Sequence, residues 1–325
     1  MRLGRKRRED GGGTTKLFYA SDIHGSDLLW RKFLGASKFY EADAAVMGGD
    51  LLGKAIVPVE RRADGMFRAE FLGAERNVRE GEELDELVAA IRFNGYYPWI
   101  APGDEIARRS SDTEELFGEV AREEIRRWTE LAEARSSTNG SSHMFVMAGN
   151  DDPWYVDEIL SASPAIEFCD HRLVHVGPHE MISSSYANPT PWNSPRELDE
   201  DALYERLRKL ADQLEEPGRA IFNLHVPPYD SRLDTAADLK PDLTPRYSGG
   251  QPVMKPVGSR AVRQLIEEVQ PLLALHGHIH ESRGEIHIGR TLALNSGSEY
   301  NTGRLHGVVV TLGDEQVVSH QFVVG

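Results

Sequence analysis

Cysteine is nearly absent from this chain of 325 residues: Cys169 is the single thiol. One thiol closes no internal disulfide and builds no thiolate zinc site, so nothing in the sequence demands an oxidising compartment, and the cytoplasm is the expected location. Long apolar runs are also missing. The hydrophobic stretches last about five to eight residues, well short of the ~18 that cross a bilayer, so no membrane association is expected. Basic side chains are outnumbered, with 37 Lys and Arg against 52 Asp and Glu, and five of the 37 fall within Met1–Arg8. Broad nucleic-acid binding needs clustered cations on phosphates and is therefore disfavoured, although a local basic pocket is compatible with the balance. The basic start is followed by Glu9, Asp10 and three glycines rather than by the apolar stretch of a secretory signal. Residues 1–14 read as a disordered basic tail. Gly11–Lys16 lacks the glycine-to-lysine spacing of a phosphate-cradling loop and reads as a linker.

What remains, at 40% hydrophobic and 27% charged, suits one large domain over residues 15–325. Lys16–Ala20 and Ala44–Met47 read as buried strands separated by helix-like spacing over Leu28–Tyr40, which makes a βαβ unit. Residues 54–142 change character. Charged, helix-forming stretches at Glu82–Phe93 and Thr113–Arg135 flank an aromatic turn, Asn94–Trp99, and the whole reads as a helical insertion or cap. The Ser136–Ser142 run is a loop by composition. Strands are expected again at His143–Ala148, Leu173–Val176, Glu180–Ser184, Ala220–Leu224, Leu272–Leu275 and Thr291–Asn295, helices at Leu203–Leu214 and Gly258–Val269, and a closing hairpin over Val308–Val324. The Pro-, Gly- and Asp-rich stretch from Pro227 to Val257 is too long for a plain connection and reads as a substrate loop.

Five short segments, each ending a strand-like run, carry the chemistry: Asp22-Ile23-His24, Gly49-Asp50, Gly149-Asn150-Asp151, His225, and Gly277-His278-Ile279-His280. In an α/β fold such strand ends gather at one edge of the sheet. Asp22 and His24, two residues apart in extended chain, share a face. Carboxylate, imidazole and amide donors without thiolate suit two divalent cations of the Mn, Fe, Co, Ni or Zn type.

In order and composition the five segments resemble those of the calcineurin-like metallophosphoesterases, whose pattern is D-x-H, G-D, G-N-H-[ED], H and G-H-x-H. The resemblance spans most of the chain. It implies an α/β (α+β) fold, a central β-sandwich flanked by helices, and a dimetal centre at one edge. It also implies that Asp22, His24 and His280 hold one metal, that Asn150, His225 and His278 hold the other, and that Asp50 bridges them, with Mn first among the candidate ions. The reaction implied is hydrolysis of a small-molecule phosphoester by in-line attack of a metal-bridging hydroxide.

The chain departs from the pattern where Asp151 replaces the His after Asn. That His is usually assigned to protonating the leaving group, whereas an Asp beside two cations is expected to be ionised and so a poor acid. This favours phosphodiesters over monoesters. Asn150 would help position the phosphoryl group, and His276 is a candidate proton source, with a structural role as its main rival. Arg232 and Asn188 are candidate substrate contacts. Phosphomonoesterase or protein phosphatase, nuclease, and a non-catalytic scaffold on the same fold remain as alternative functions.

Overall fold

The computed structural model describes residues 13–139 and 143–325, so the basic tail and the end of the Ser-rich run lie outside the described residues. Two six-stranded sheets dominate. The first runs Val317–Val324, His306–Leu312, Thr15–Ala20, Ala44–Met47, His143–Val146, Glu167–Phe168; the second runs Gly284–Ile288, Thr291–Asn295, Leu273–His276, Ile221–Leu224, His179–Ser184, Leu173–Val176.

Alternation along the strands builds the layers. In Thr15–Ala20, Leu17 and Tyr19 face the second sheet and pack with Met181, Ile221, Leu273 and Leu292. Phe18 and Ala20 face the other way, onto Trp30 and Phe33 of the helix Asp27–Tyr40 and onto Trp128 of the helix Thr113–Asn139. This is the period-2 geometry of a strand covered on both sides. Beyond the second sheet, the helices Glu200–Ala211 and Arg260–Val269 bury Leu203, Leu207, Val262 and Leu265 against Phe222 and Ala274. The order is therefore helices, sheet, sheet, helices, a β-sandwich flanked by helices.

The connections at the centre of each sheet are parallel. Thr15–Ala20 pairs in parallel with Ala44–Met47, which pairs in parallel with His143–Val146. Ile221–Leu224 does the same with Leu273–His276. Parallel neighbours end at the same edge, which brings the five motif segments together.

The segment 54–142 corrects the expectation of a helical insertion. Four of its stretches form a separate sheet, ordered Ala74–Arg79, Met66–Phe71, Ile56–Arg61, Tyr97–Pro102. Val57, Val59, Phe67, Ala69 and Phe71 bury one face of that sheet against Leu87 and Ile91 of the helix Glu82–Phe93. The two charged stretches that suggested helix, Glu82–Phe93 and Thr113–Arg135, are helical; the sheet comes from the residues before and between them, which alternate with period 2, as in Met66–Phe71, where Phe67, Ala69 and Phe71 are buried and Arg68 and Glu70 exposed. The aromatic turn ends in a strand, and Tyr97 is buried. The Ser-rich run begins inside the long helix, which continues to Asn139. The long stretch after His225 folds into two small antiparallel pairs, Thr235–Ala237 with Met254–Pro256 and Tyr247–Ser248 with Gln251–Pro252. Gly249 and Gly250, with φ of 59° and 82°, make the two-residue turn of the inner one.

Candidate metal centre

Each motif segment leaves its strand through a tight, hydrogen-bonded turn. Asp22, His24, Asp50 and His278 all have positive φ, between 39° and 64°. Residues with a Cβ rarely adopt this region, and here the backbone over-determines it. Asp22 N donates to Gly49 O at 2.9 Å, His24 N to Asp50 O at 3.0 Å, and Gly25 N to Leu51 O at 2.7 Å, lacing the first two turns together. The glycines permit contact that no side chain would allow. A Cβ on Gly149 would lie 2.0 Å from Asp50 Oδ1, and one on Gly277 would lie 2.2 Å from Asp22 Oδ2.

Two groups of ligand atoms share no residue, Asp22, His24 and His280, and Asp50, His225 and His278, and a third, His24, Asp50 and Asp151, joins them. Asp50 lies between them. Its Oδ2 is 3.7 Å from His24 Nε2 and its Oδ1 is 3.3 Å from His225 Nε2, so one carboxylate presents an oxygen to each group. His280 Nε2 sits 3.4 Å from Asp22 Oδ1 and 3.0 Å from His24 Nε2. The buried Asn150 Oδ1 has no hydrogen-bond partner, because the Asn150 amide nitrogen is turned to Asp151 Oδ1 at 3.2 Å. Converging imidazole nitrogens, carboxylate oxygens and an orphaned amide oxygen fit oxygen- and nitrogen-ligated divalent cations.

The electrostatics fit the same description. Burial alone would raise Asp22, but its hydrogen bond to His280 and the charges of His280 and His225 pull it down to about 2. Burial likewise opposes ionisation of Asp50, and His225 and His24 overcome it to hold the carboxyl well below the usual range. Burial depresses His24 and His278 to about 4. His225 goes the other way: burial lowers it, but Asp50 and Asp22 raise it to about 10. His225 Nδ1 lies 2.8 Å from Gly48 O, and donation to that carbonyl directs Nε2 at Asp50.

A second ring of contacts fixes the turns. The buried Asp152 accepts from Leu51 N, Leu52 N and Gly149 N, joining the Asp50 turn to the Asn150 turn; burial and Asp50 raise it to about 6. Arg196, itself fully buried, donates from Nε to Asp152 O at 2.7 Å and from Nη2 to Pro153 O at 3.1 Å, and pairs with Asp157 and Asp170.

The remaining sequence candidates are placed differently. His276 is buried with Nδ1 2.7 Å from Leu224 O, a contact that pins neighbouring strands, and burial holds it down to about 4, so it is neutral near pH 7 and carries no acidic proton there. Asn188 donates to Val257 O at 3.2 Å, tying two loops together, and its buried Oδ1 has no hydrogen-bond partner. Arg232 is exposed, one residue before Leu233, whose carbonyl is bonded by the Asn295 amide that also holds the carbonyls of Gly277 and Ile279. Its loop is thus joined to the His278–His280 turn. Asp151 accepts from Ser194 Oγ at 2.7 Å, forms a 2.9 Å ion pair with Lys54, and falls within ligand reach of His24 and Asp50.

Three neighbours carried no motif signal. Lys54 follows the Asp50 turn closely enough to be noticed by distance in sequence alone. Ser194 and Tyr300 do not: Tyr300 lies against His24 and His280, with ring centroids 4.8 and 5.8 Å apart, and only the fold brings it there.

No family model matches the chain. An uncharacterized protein of Methanocaldococcus jannaschii is 28% identical over 170 residues, 51% of this chain and 69% of that protein. One crystal structure superposes with a TM-score of 0.50 and 16% identity, covering 96% of this chain and 99% of its own, a likeness of fold. A crystal structure described as a novel phosphatase, from Mycoplasma pneumoniae, covers 97% of this chain and 94% of its own at a TM-score of 0.44 and 9% identity. The likeness of fold thus extends over nearly the whole chain.

Proposed function

We propose that this chain hydrolyses phosphoesters, diesters before monoesters, with two divalent metal ions, as its resemblance to the calcineurin-like metallophosphoesterases implies. The observation that carries the reading is Asp50, whose two oxygens face His24 on one side and His225 on the other. A single cation would leave one of these half-sites unused.

Asp22, His24 and His280 would hold one ion, Asn150, His225 and His278 the other, with Asp50 shared. Bound divalent ions supply Lewis-acid polarisation of the phosphoryl oxygens and acidify an attacking water. We place Mn first among them. The chain's own residues do the rest. The laced turns hold the ligands in place before substrate arrives, which removes reorganisation from the reaction. Asp151, bonded as an acceptor to Ser194, Asn150 and Lys54, offers no proton to a leaving group. Neutral, buried His276 offers none either. A site without a strong acid suits esters whose leaving group departs with little protonation. The acidic balance of the chain favours a small-molecule substrate over an extended nucleic acid.

The test is hydrolysis of an aryl phosphodiester beside its monoester by metal-stripped protein with Mn²⁺ restored. The expected result is metal-dependent cleavage, faster on the diester, and a loss of more than about 100-fold in Asp50→Asn. Turnover unaffected by metal removal, or unchanged in the variant, contradicts the reading.

A further inference from the structure

We infer that Lys54 is a substrate-contacting residue: its ammonium, held on Asp151 in the resting site, moves to a non-bridging oxygen of the bound phosphoryl group. The inference rests on the dimetal phosphoesterase reading and adds a residue to it.

The stem of Lys54 is fixed although its side chain is 54% exposed. Leu51 N and Leu52 N are held by the buried Asp152 carboxylate, and Gly53 N by the buried Tyr97 hydroxyl at 2.8 Å. A Cβ on Gly53 would lie 2.1 Å from Gly95 O, so the inserted segment packs directly beneath this turn. The backbone therefore delivers residue 54 to the same position in every molecule, four residues after the shared ligand Asp50.

From there the ammonium reaches Asp151 Oδ2 at 2.9 Å. Asp151 is itself anchored: its N–H donates to Asp50 Oδ1 at 3.1 Å, and its Oδ1 accepts from Ser194 and Asn150. Lys54 thus stands one residue away from two proposed metal ligands, and its charge is felt at His24 and His280 and feels Asp50 and Tyr300. An ammonium carries three donors and Asp151 engages one, which leaves two for a phosphoryl oxygen arriving from the open side. An ion pair this exposed is weak, so exchanging the Asp151 carboxylate for a substrate oxygen costs little.

The rival is charge balance, in which Lys54 does no more than neutralise the Asp151 carboxylate. A double-variant cycle separates the two. Inorganic phosphate is the probe, its affinity for the Mn²⁺-loaded protein read by calorimetry, with bound metal counted in parallel. Lys54→Met is expected to weaken phosphate by roughly tenfold or more, the scale of a hydrogen bond to a charged group, with the metal count unchanged. Lys54→Arg is expected to keep most of the affinity. The loss should persist when Asp151→Asn is added to Lys54→Met. Wild-type affinity in that double variant makes Lys54 a counter-charge and overturns the inference, as does phosphate binding indifferent to Lys54→Met in protein that holds its metal. A wild-type protein that binds no metal overturns the underlying reading, and the inference falls with it.

Discussion

Positive φ at Asp22, His24, Asp50 and His278 costs conformational energy at four positions that the resemblance assigns to metal. The strain is sustained by hydrogen bonds running between turns as well as within them, so each ligand's pose depends on its neighbours. None of this is visible in the sequence, where D-x-H and G-H-x-H give residue identity and order but not dihedral angles. The residue scale also sets a pH dependence. Metal coordination requires a neutral imidazole. In the metal-free site burial would lower His225, but Asp50 and Asp22 raise it to about 10, so below that pH it carries a proton. Metal uptake at pH 7 should therefore release a proton, and apparent affinity should rise as pH rises towards 10. Titration calorimetry with Mn²⁺ in two buffers of different ionisation enthalpy measures the release; equal heats in both contradict it.

At the scale of elements, the strands that end in ligands were legible because they are short, apolar and bounded by turn residues. Ala44–Met47, which leads into Asp50, has the expected bounds, as do the edge strand Leu173–Val176 and the helix Glu82–Phe93. The inserted sheet was not legible, because its strands are short, alternate buried apolar with exposed charged side chains, and lie beside two charged helices that dominate the pattern of the segment. Lys54 and Tyr97 show the consequence. The insertion buttresses the site through Gly53, a contact between elements distant in sequence. The glycine turns make the sharpest prediction here. In Gly149→Ala the added Cβ would meet Asp50 Oδ1 at 2.0 Å and Asp50 N at 2.2 Å, and backbone cannot move aside cheaply. Metal affinity should fall at least about tenfold, with a stability loss of about 1–3 kcal/mol. Chelator competition and thermal unfolding measure the two, and wild-type metal affinity in this variant would show that the close approach of the turns does not matter.

Across the whole molecule, parallel strands in two stacked sheets bring five segments spread from residue 22 to residue 280 to one edge. The order of the segments carried the fold class in sequence, and it named the Asp and His side chains that the structure gathers at one edge. The ring of supporting contacts, Asp152, Arg196, Ser194 and Tyr300, depends on which loops meet at that edge and so waited for the structure. No described helix is long and apolar enough to cross a membrane. The account stands or falls on two ions sharing Asp50, and the most direct measurement is the number of Mn²⁺ ions bound per chain at saturation, in wild type and in Asp50→Asn. The account predicts two in the wild type, with weakened binding of both in the variant. One ion per chain, or two held as tightly without the Asp50 carboxylate, would contradict it.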